Sequence, residues 1–123
     1  MPQSDKTDVV LVVEDEALVR VAIADDLRDA GFTVIEASNA DEAIRQMTAN
    51  PAIRVLFTDI DMPGSMDGLK LSAFVHDRWP PVRIIVTSGK QRPTADQIPD
   101  AGIFLSKPYT PNGVVDAIRT LLA

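Results

Sequence analysis

Glu14, Asp15, Asp59, Thr87, Ser88 and Lys107 each stand at or just past the end of a short apolar run. Their types match what phosphoryl chemistry needs. A carboxylate such as Asp59 can attack phosphorus and form an aspartyl-phosphate, a known form of covalent catalysis. The attack requires the phosphoryl charge to be neutralised. Glu14 and Asp15, with Asp59, make a hard oxygen cluster suited to Mg²⁺, with Mn²⁺ the alternative ion. The Lys107 ammonium and the Thr87 hydroxyl can meet further phosphoryl oxygens. Taken singly, each residue has a plainer role: a solvated turn, a helix cap, a surface lysine. Their joint order at successive run ends is what carries the chemistry.

The elements that must position these residues are legible from periodicity. Val9 to Val13, Phe32 to Ala37, Arg54 to Thr58, Val82 to Thr87 and Gly102 to Ser106 are short β-branched runs that read as buried parallel strands. Between them, Glu16 to Ala30 places Val19, Ile23, Leu27 and Ala30 on one helical face, with Gly31 as the stop. Ser38 or Asn39 caps a second helix, with Asp41 or Glu42 completing a capping box or a variant of it, and Asn50-Pro51 ends it. Met62 to Ser65 reads as a turn. Asp67-Gly68 leads into a third helix carrying Leu71, Phe74, Val75 and Trp79, closed by Pro80-Pro81. Thr110-Pro111 opens the last helix, Thr as N-cap and Pro at the first helical position. Met1 to Asp8 reads as a frayed polar lead-in. Lys90 to Asp100 holds Pro93, Pro99 and a single large apolar residue, Ile98, so it predicts a short helical turn or an irregular loop, ordered further on partner binding.

Strands alternating with helices predict an α/β fold: a doubly wound, three-layer α/β/α sandwich on a five-stranded parallel sheet of order 2-1-3-4-5, flavodoxin-like, with the fourth helix short or irregular. In such a sheet ligands bind beyond the carboxyl ends of the strands, at the switch point between strands one and three. Glu14, Asp15 and Asp59 follow those two strands.

The whole chain, residues 1–123 with a core of about 9–122, fits one domain. The formal charge of −6 and the scattered basic residues argue against direct nucleic-acid binding. No stretch approaches the roughly 20 apolar residues that span a bilayer. Cysteine is absent, which removes disulfides and thiolate metal sites, and a cytoplasmic location fits. His76 falls on a helix and reads as a surface residue rather than a ligand.

The motifs Val12-Val13-Glu14-Asp15-Glu16, Thr58-Asp59-Ile60-Asp61-Met62-Pro63, Asp67-Gly68, Val86-Thr87-Ser88-Gly89 and Phe104-Leu105-Ser106-Lys107-Pro108 together resemble the receiver domains of two-component response regulators. The resemblance covers nearly the whole chain. It implies that Asp59 is the phosphoacceptor, that Glu14 and Asp15 are the acid pair with Asp15 the more direct metal ligand, and that the backbone carbonyl of Asp61 is a third protein contact to Mg²⁺. It implies that Thr87 and Lys107 sense the phosphoryl group, that Phe104 is the aromatic switch following Thr87, and that the Lys107–Pro108 bond is cis. The implied partners are a histidine kinase or a histidine phosphotransfer protein and a downstream protein, with the receiver a monomer or weak dimer acting alone.

Three features depart from the usual family pattern. Glu14 replaces the commoner Asp and would reach a metal through water. The loop from Met62 to Gly68 is one residue longer, which would re-aim Asp61. The Lys90–Asp100 segment is short and proline-broken where the family has a signalling helix. Two alternatives of other classes stand beside the receiver reading: a phosphorylation-independent binding module, and a small phosphohydrolase using Asp59-Ile60-Asp61. Pro63 and the order of the acidic residues count against the hydrolase.

Overall fold

A computed structural model describes residues 8–64 and 66–123. Five strands alternate with helices: β1 (Val9–Val13), α1 (Ala17–Asp29), β2 (Thr33–Ala37), α2 (Ala40–Ala49), β3 (Ile53–Asp59), α3 (Gly68–Arg78), β4 (Arg83–Ser88), β5 (Ile103–Ser106) and α4 (Pro111–Leu122). A single 3₁₀ turn, Ala95–Gln97, is the only helical structure described between β4 and β5. The sheet is wholly parallel in the order β2-β1-β3-β4-β5.

Alternation along β1 shows why this is a three-layer molecule. Leu11 and Val13 face a core filled by Ala43 and Met47 of α2 and Leu71 and Val75 of α3. Val10 and Val12 face the other core, with Ile23, Ala24 and Leu27 of α1 and Val114, Val115 and Ile118 of α4. With both faces covered, the central strands can be apolar throughout, as a parallel sheet requires.

The punctuation follows side-chain chemistry. Gly31 takes φ 103° and ends α1. Asn39 caps α2 by accepting from the Glu42 amide at 2.8 Å, while the Glu42 carboxylate reaches past the cap to the Ser38 amide at 2.6 Å, a displaced capping box. Asp67 caps α3 and Thr110 caps α4, with Pro111 at its first position. The observed elements start or stop within a residue or so of the expected bounds; Glu16 and Ala30 become the caps of α1, and Trp79 the cap of α3.

One expectation is corrected. Asp8 is not part of a frayed lead-in: it is 7% exposed, its carbonyl accepts from the Thr33 amide, and its carboxylate pairs with Arg54 at 2.9 Å. A charge before β1 finds its partner on β3, because those strands are neighbours. Met1 to Thr7, and Ser65 in the expected turn, lie outside the described residues.

Candidate functional site

The carboxyl ends of β1, β3, β4 and β5 bring the expected groups to one rim. Carboxylate oxygens of Glu14, Asp15 and Asp59 lie within 4.8 Å of one another, a group that could hold a metal ion. Glu14 and Asp59 are each 3% exposed, while Asp15 is open to solvent. Lys107 reaches in from beyond β5, its ammonium 3.0 Å from Glu14 and 3.4 Å from Asp59. The Lys107–Pro108 peptide is cis.

Thr87 stands beside Asp59 in the β3–β4 register. It is fully buried, and its hydroxyl has no hydrogen-bond partner. Buried hydroxyls are rarely left so. The backbone around it is pinned on both sides: the Ile60 amide donates to the Thr87 carbonyl at 2.8 Å, and the Lys107 amide to the Ser88 carbonyl at 3.0 Å. An unpaired donor fixed beside a carboxylate and an ammonium is a ready contact for an anionic oxygen.

The electrostatics follow from burial. Desolvation raises the Asp59 carboxyl above its usual range, against the pull of Lys107 and of the Asp61 amide. Burial likewise raises Glu14, opposed by bonds from the Glu16 amide and Lys107 and reinforced by the Asp59 charge. Burial lowers the Lys107 ammonium, but the Glu14 hydrogen bond and the two carboxylate charges outweigh it, so Lys107 ends above its usual value. Crowded acids with only one cation are what a divalent ion relieves.

Asp61 behaves differently. Its carboxylate does not join the acid cluster, because both its oxygens are taken. Ser88 donates at 2.6 Å and Gln91 at 2.6 Å. The Ser88 hydroxyl also accepts from the Lys90 and Gln91 amides. Partial burial raises the Asp61 pKa, but these bonds and the Lys90 and Lys107 charges lower it overall. So the Asp61 side chain fastens the start of the β4–β5 loop to the loop after β3. Phe104 lies on β5 opposite Val86, half-buried against the α2–α3 core. His76 sits in the last turn of α3.

The structure adds residues that periodicity did not single out. Gly68 admits no side chain: a Cβ there would lie 2.0 Å from the Asp59 carbonyl oxygen. Its amide bonds the Ile60 carbonyl at 3.0 Å, so α3 begins against the backbone of Asp59 and Ile60. The Asp67-Gly68 motif was the signal for it. Arg20, whose guanidinium bonds the Glu14 carbonyl, carried none, because an arginine on a helix is ordinarily solvated.

Comparison with known proteins agrees. The model of the response regulator receiver domain matches residues 10–119. The chain belongs to that family. Among curated relatives, the transcriptional regulatory protein PdtaR of Mycobacterium tuberculosis is 30% identical over 113 residues, covering 89% of this chain and 54% of the relative. The transcriptional regulatory protein ResD of Bacillus subtilis is 31% identical over 125 residues, covering 99% of this chain and 50% of the relative. The receiver thus spans about half the length of those two relatives. Among solved structures, a response regulator receiver protein from Sinorhizobium medicae superposes with a TM-score of 0.81 at 29% identity, covering 94% of each chain. The receiver domain of the hybrid histidine kinase CckA gives 0.80 at 28% identity, covering 94% of this chain and 99% of that one. Receiver domains are signalling domains of two-component systems rather than enzymes in the ordinary sense. Among the described residues no helix is long and apolar enough to cross a membrane.

Proposed function

We propose that this receiver accepts a phosphoryl group on Asp59 from a phosphohistidine on a kinase or phosphotransfer protein, and that the acylphosphate changes the surface offered by the β4–β5 loop to a downstream protein. The observation that carries this reading is the buried, unpartnered Thr87 hydroxyl beside Asp59, with Lys107 on the same rim. An Asp59 carboxylate oxygen attacks phosphorus, the phosphorus–nitrogen bond breaks with its electron pair going to nitrogen, and that nitrogen takes one proton from solvent, so the histidine ends as neutral imidazole. Lys107 exchanges its carboxylate partners for a phosphoryl oxygen, and the Thr87 hydroxyl donates to another.

The donor set fits Mg²⁺: Glu14, Asp15 and Asp59 would supply hard oxygens, and the Asp61 carbonyl would be the further protein contact. When bound, the ion supplies charge neutralisation for the incoming phosphoryl group. Glu14 is already engaged by Lys107 and by the Glu16 amide, which supports an outer role for it and a direct one for the open Asp15.

A docking surface for the donor adjoins the site. A groove of about 610 Å³, lined by Leu18, Val19, Ala22, Pro108 and Tyr109, opens beside Lys107. Leu18, 87% exposed, presents its side chain to this groove. An apolar helix face from the phosphodonor fits there with its histidine turned toward Asp59. A cytoplasmic setting belongs to the same reading.

The test is incubation with Mg²⁺ and acetyl phosphate followed by intact mass, beside Asp59→Asn. One added phosphoryl group on wild type and none on the variant is expected. An adduct that persists in Asp59→Asn overturns the assignment of the acceptor. No adduct from acetyl phosphate or from a phosphorylated kinase, in protein shown to bind Mg²⁺, overturns phosphotransfer and leaves a binding module.

A further inference from the structure

The β1–α1 junction carries Glu14 and Asp15, the two carboxylates that cluster with Asp59, and a single side chain fixes the peptide plane between them. The Glu14 amide extends the β1–β2 ladder by bonding the Ala37 carbonyl at 3.1 Å. In a strand the amide and carbonyl of one residue point to the same side, so the Glu14 carbonyl also faces β2. β2 ends at Ala37 and the chain turns into α2, so the ladder offers no donor for that carbonyl. Arg20 supplies one: its Nη1 donates to the Glu14 carbonyl at 2.9 Å. The same guanidinium is held from behind, with Nε 3.2 Å from Glu36, and its side chain is only 19% exposed. Glu36 in turn receives Arg28 at 3.3 Å.

We propose that Arg20 is a positioning residue for the acid pair. The peptide between Glu14 and Asp15 turns about two torsions, ψ of Glu14 and φ of Asp15. Those torsions aim the two carboxylates relative to each other and to Asp59. Holding the carbonyl holds both torsions, so one guanidinium sets the metal-binding geometry without touching a metal. The rigid planar fork of arginine suits the task, because it reaches the carbonyl and Glu36 at once, which a lysine ammonium on its flexible stem does poorly. This inference rests on the reading of the acid cluster as a Mg²⁺ site.

Arg28 provides the control. It shares Glu36 and also bonds the Val34 carbonyl at 3.1 Å, but makes no contact with Glu14. Mg²⁺ and Mn²⁺ affinities are measured by calorimetric titration of wild type, Arg20→Ala, Arg20→Lys and Arg28→Ala, and thermal unfolding of each is followed in chelator. Losing a supporting partner of a metal ligand typically weakens binding at least roughly tenfold, and that is the loss expected for Arg20→Ala. Arg20→Lys keeps one donor and is expected to lose roughly threefold, and Arg28→Ala less than twofold, although all three lower the metal-free unfolding temperature. Where Arg20→Ala does not fold, the difference between Arg20→Lys and Arg28→Ala decides. Equal affinities in the Arg20 and Arg28 variants would leave Arg20 a structural residue and overturn the proposal. A wild-type protein that binds neither ion overturns the metal reading itself, and the positioning role with it.

Discussion

β3 and β5 each end at the same rim, one delivering Asp59 and the other leading to Lys107. They are built differently. β3 is buried at every position except Arg54, flanked by strands on both sides. No residue of β5 is fully buried; it is an edge strand preceded by a loop whose only described helical structure is one 3₁₀ turn. Asp59 and its acidic neighbours thus lie in the tightly packed, stiff half of the sheet, and Lys107 and Phe104 in the looser, soft half. A response domain needs this division: chemistry tolerates little misplacement, whereas a switch needs an element with two arrangements of similar free energy.

The contrast breaks first on packing. Phe57 is 1% exposed, and Phe57→Ala is expected to cost about 3–5 kcal/mol of stability, whereas Phe104→Ala on the half-buried edge is expected to cost about 1–2 kcal/mol. Urea denaturation of the pair measures it, and equal losses would erase the distinction between the halves.

Gly68→Ala probes the stiff half at Asp59 itself. The new methyl would overlap the Asp59 carbonyl, so a loss of about 2–3 kcal/mol is expected, together with shifted amide resonances at Asp59 and Ile60. Unchanged stability and spectra would show that α3 can slide away from β3.

The acid cluster gives a prediction with a definite sign. Asp59 has its pKa raised in the fold, so its contribution to stability is fully present below the unfolded carboxylate pKa and is lost as pH rises through the folded value. In metal-free protein at about pH 7, Asp59→Asn is therefore expected to be more stable than wild type by about 1 kcal/mol. The gap should close as pH falls through the carboxylate range, and saturating Mg²⁺ should stabilise wild type only. A variant less stable than wild type under these conditions would mean that the Lys107 pairing outweighs burial.

The smallest effect falls on the soft half. Gln91→Ala removes the exposed bond to Asp61 and is expected to cost about 0.5–1 kcal/mol. Its signature is local: faster hydrogen exchange at the Lys90 and Gln91 amides, with β3 amides unchanged. Uniformly faster exchange would show that the loop and the sheet open together.

How much of this was legible in the sequence follows from the same division. The sheet order, the helices and the convergence of Glu14, Asp15, Asp59, Thr87 and Lys107 could be read because a parallel α/β topology sends every strand end to one rim. The broken helix was legible from Pro93 and Pro99, since proline removes backbone donors. What escaped were pairings between residues with no shared pattern. Asp8 finds Arg54 only because β1 and β3 are neighbours, and Arg20 finds the Glu14 carbonyl only because β2 stops one residue short of it. Asp67-Gly68 showed as a motif, but its cause is a backbone contact that no periodicity encodes. The orphaned Thr87 hydroxyl is of the same kind: the residue was visible, its lack of a partner was not.

The 3₁₀ turn has one further consequence. Thr94, Ala95, Asp96 and Gln97 are all exposed, and none of them packs into either core. The inward-facing anchors of the loop are Ile98 and the tight turn at Gly102, where a side chain would meet Ile98 and the Pro99 carbonyl. Between those anchors and the Asp61 tether, residues can be exchanged without touching either core or the acid cluster. In evolutionary terms, this segment can be rewritten at almost no cost to the fold, so the surface beside the acid cluster is free to diverge while the cluster stays fixed.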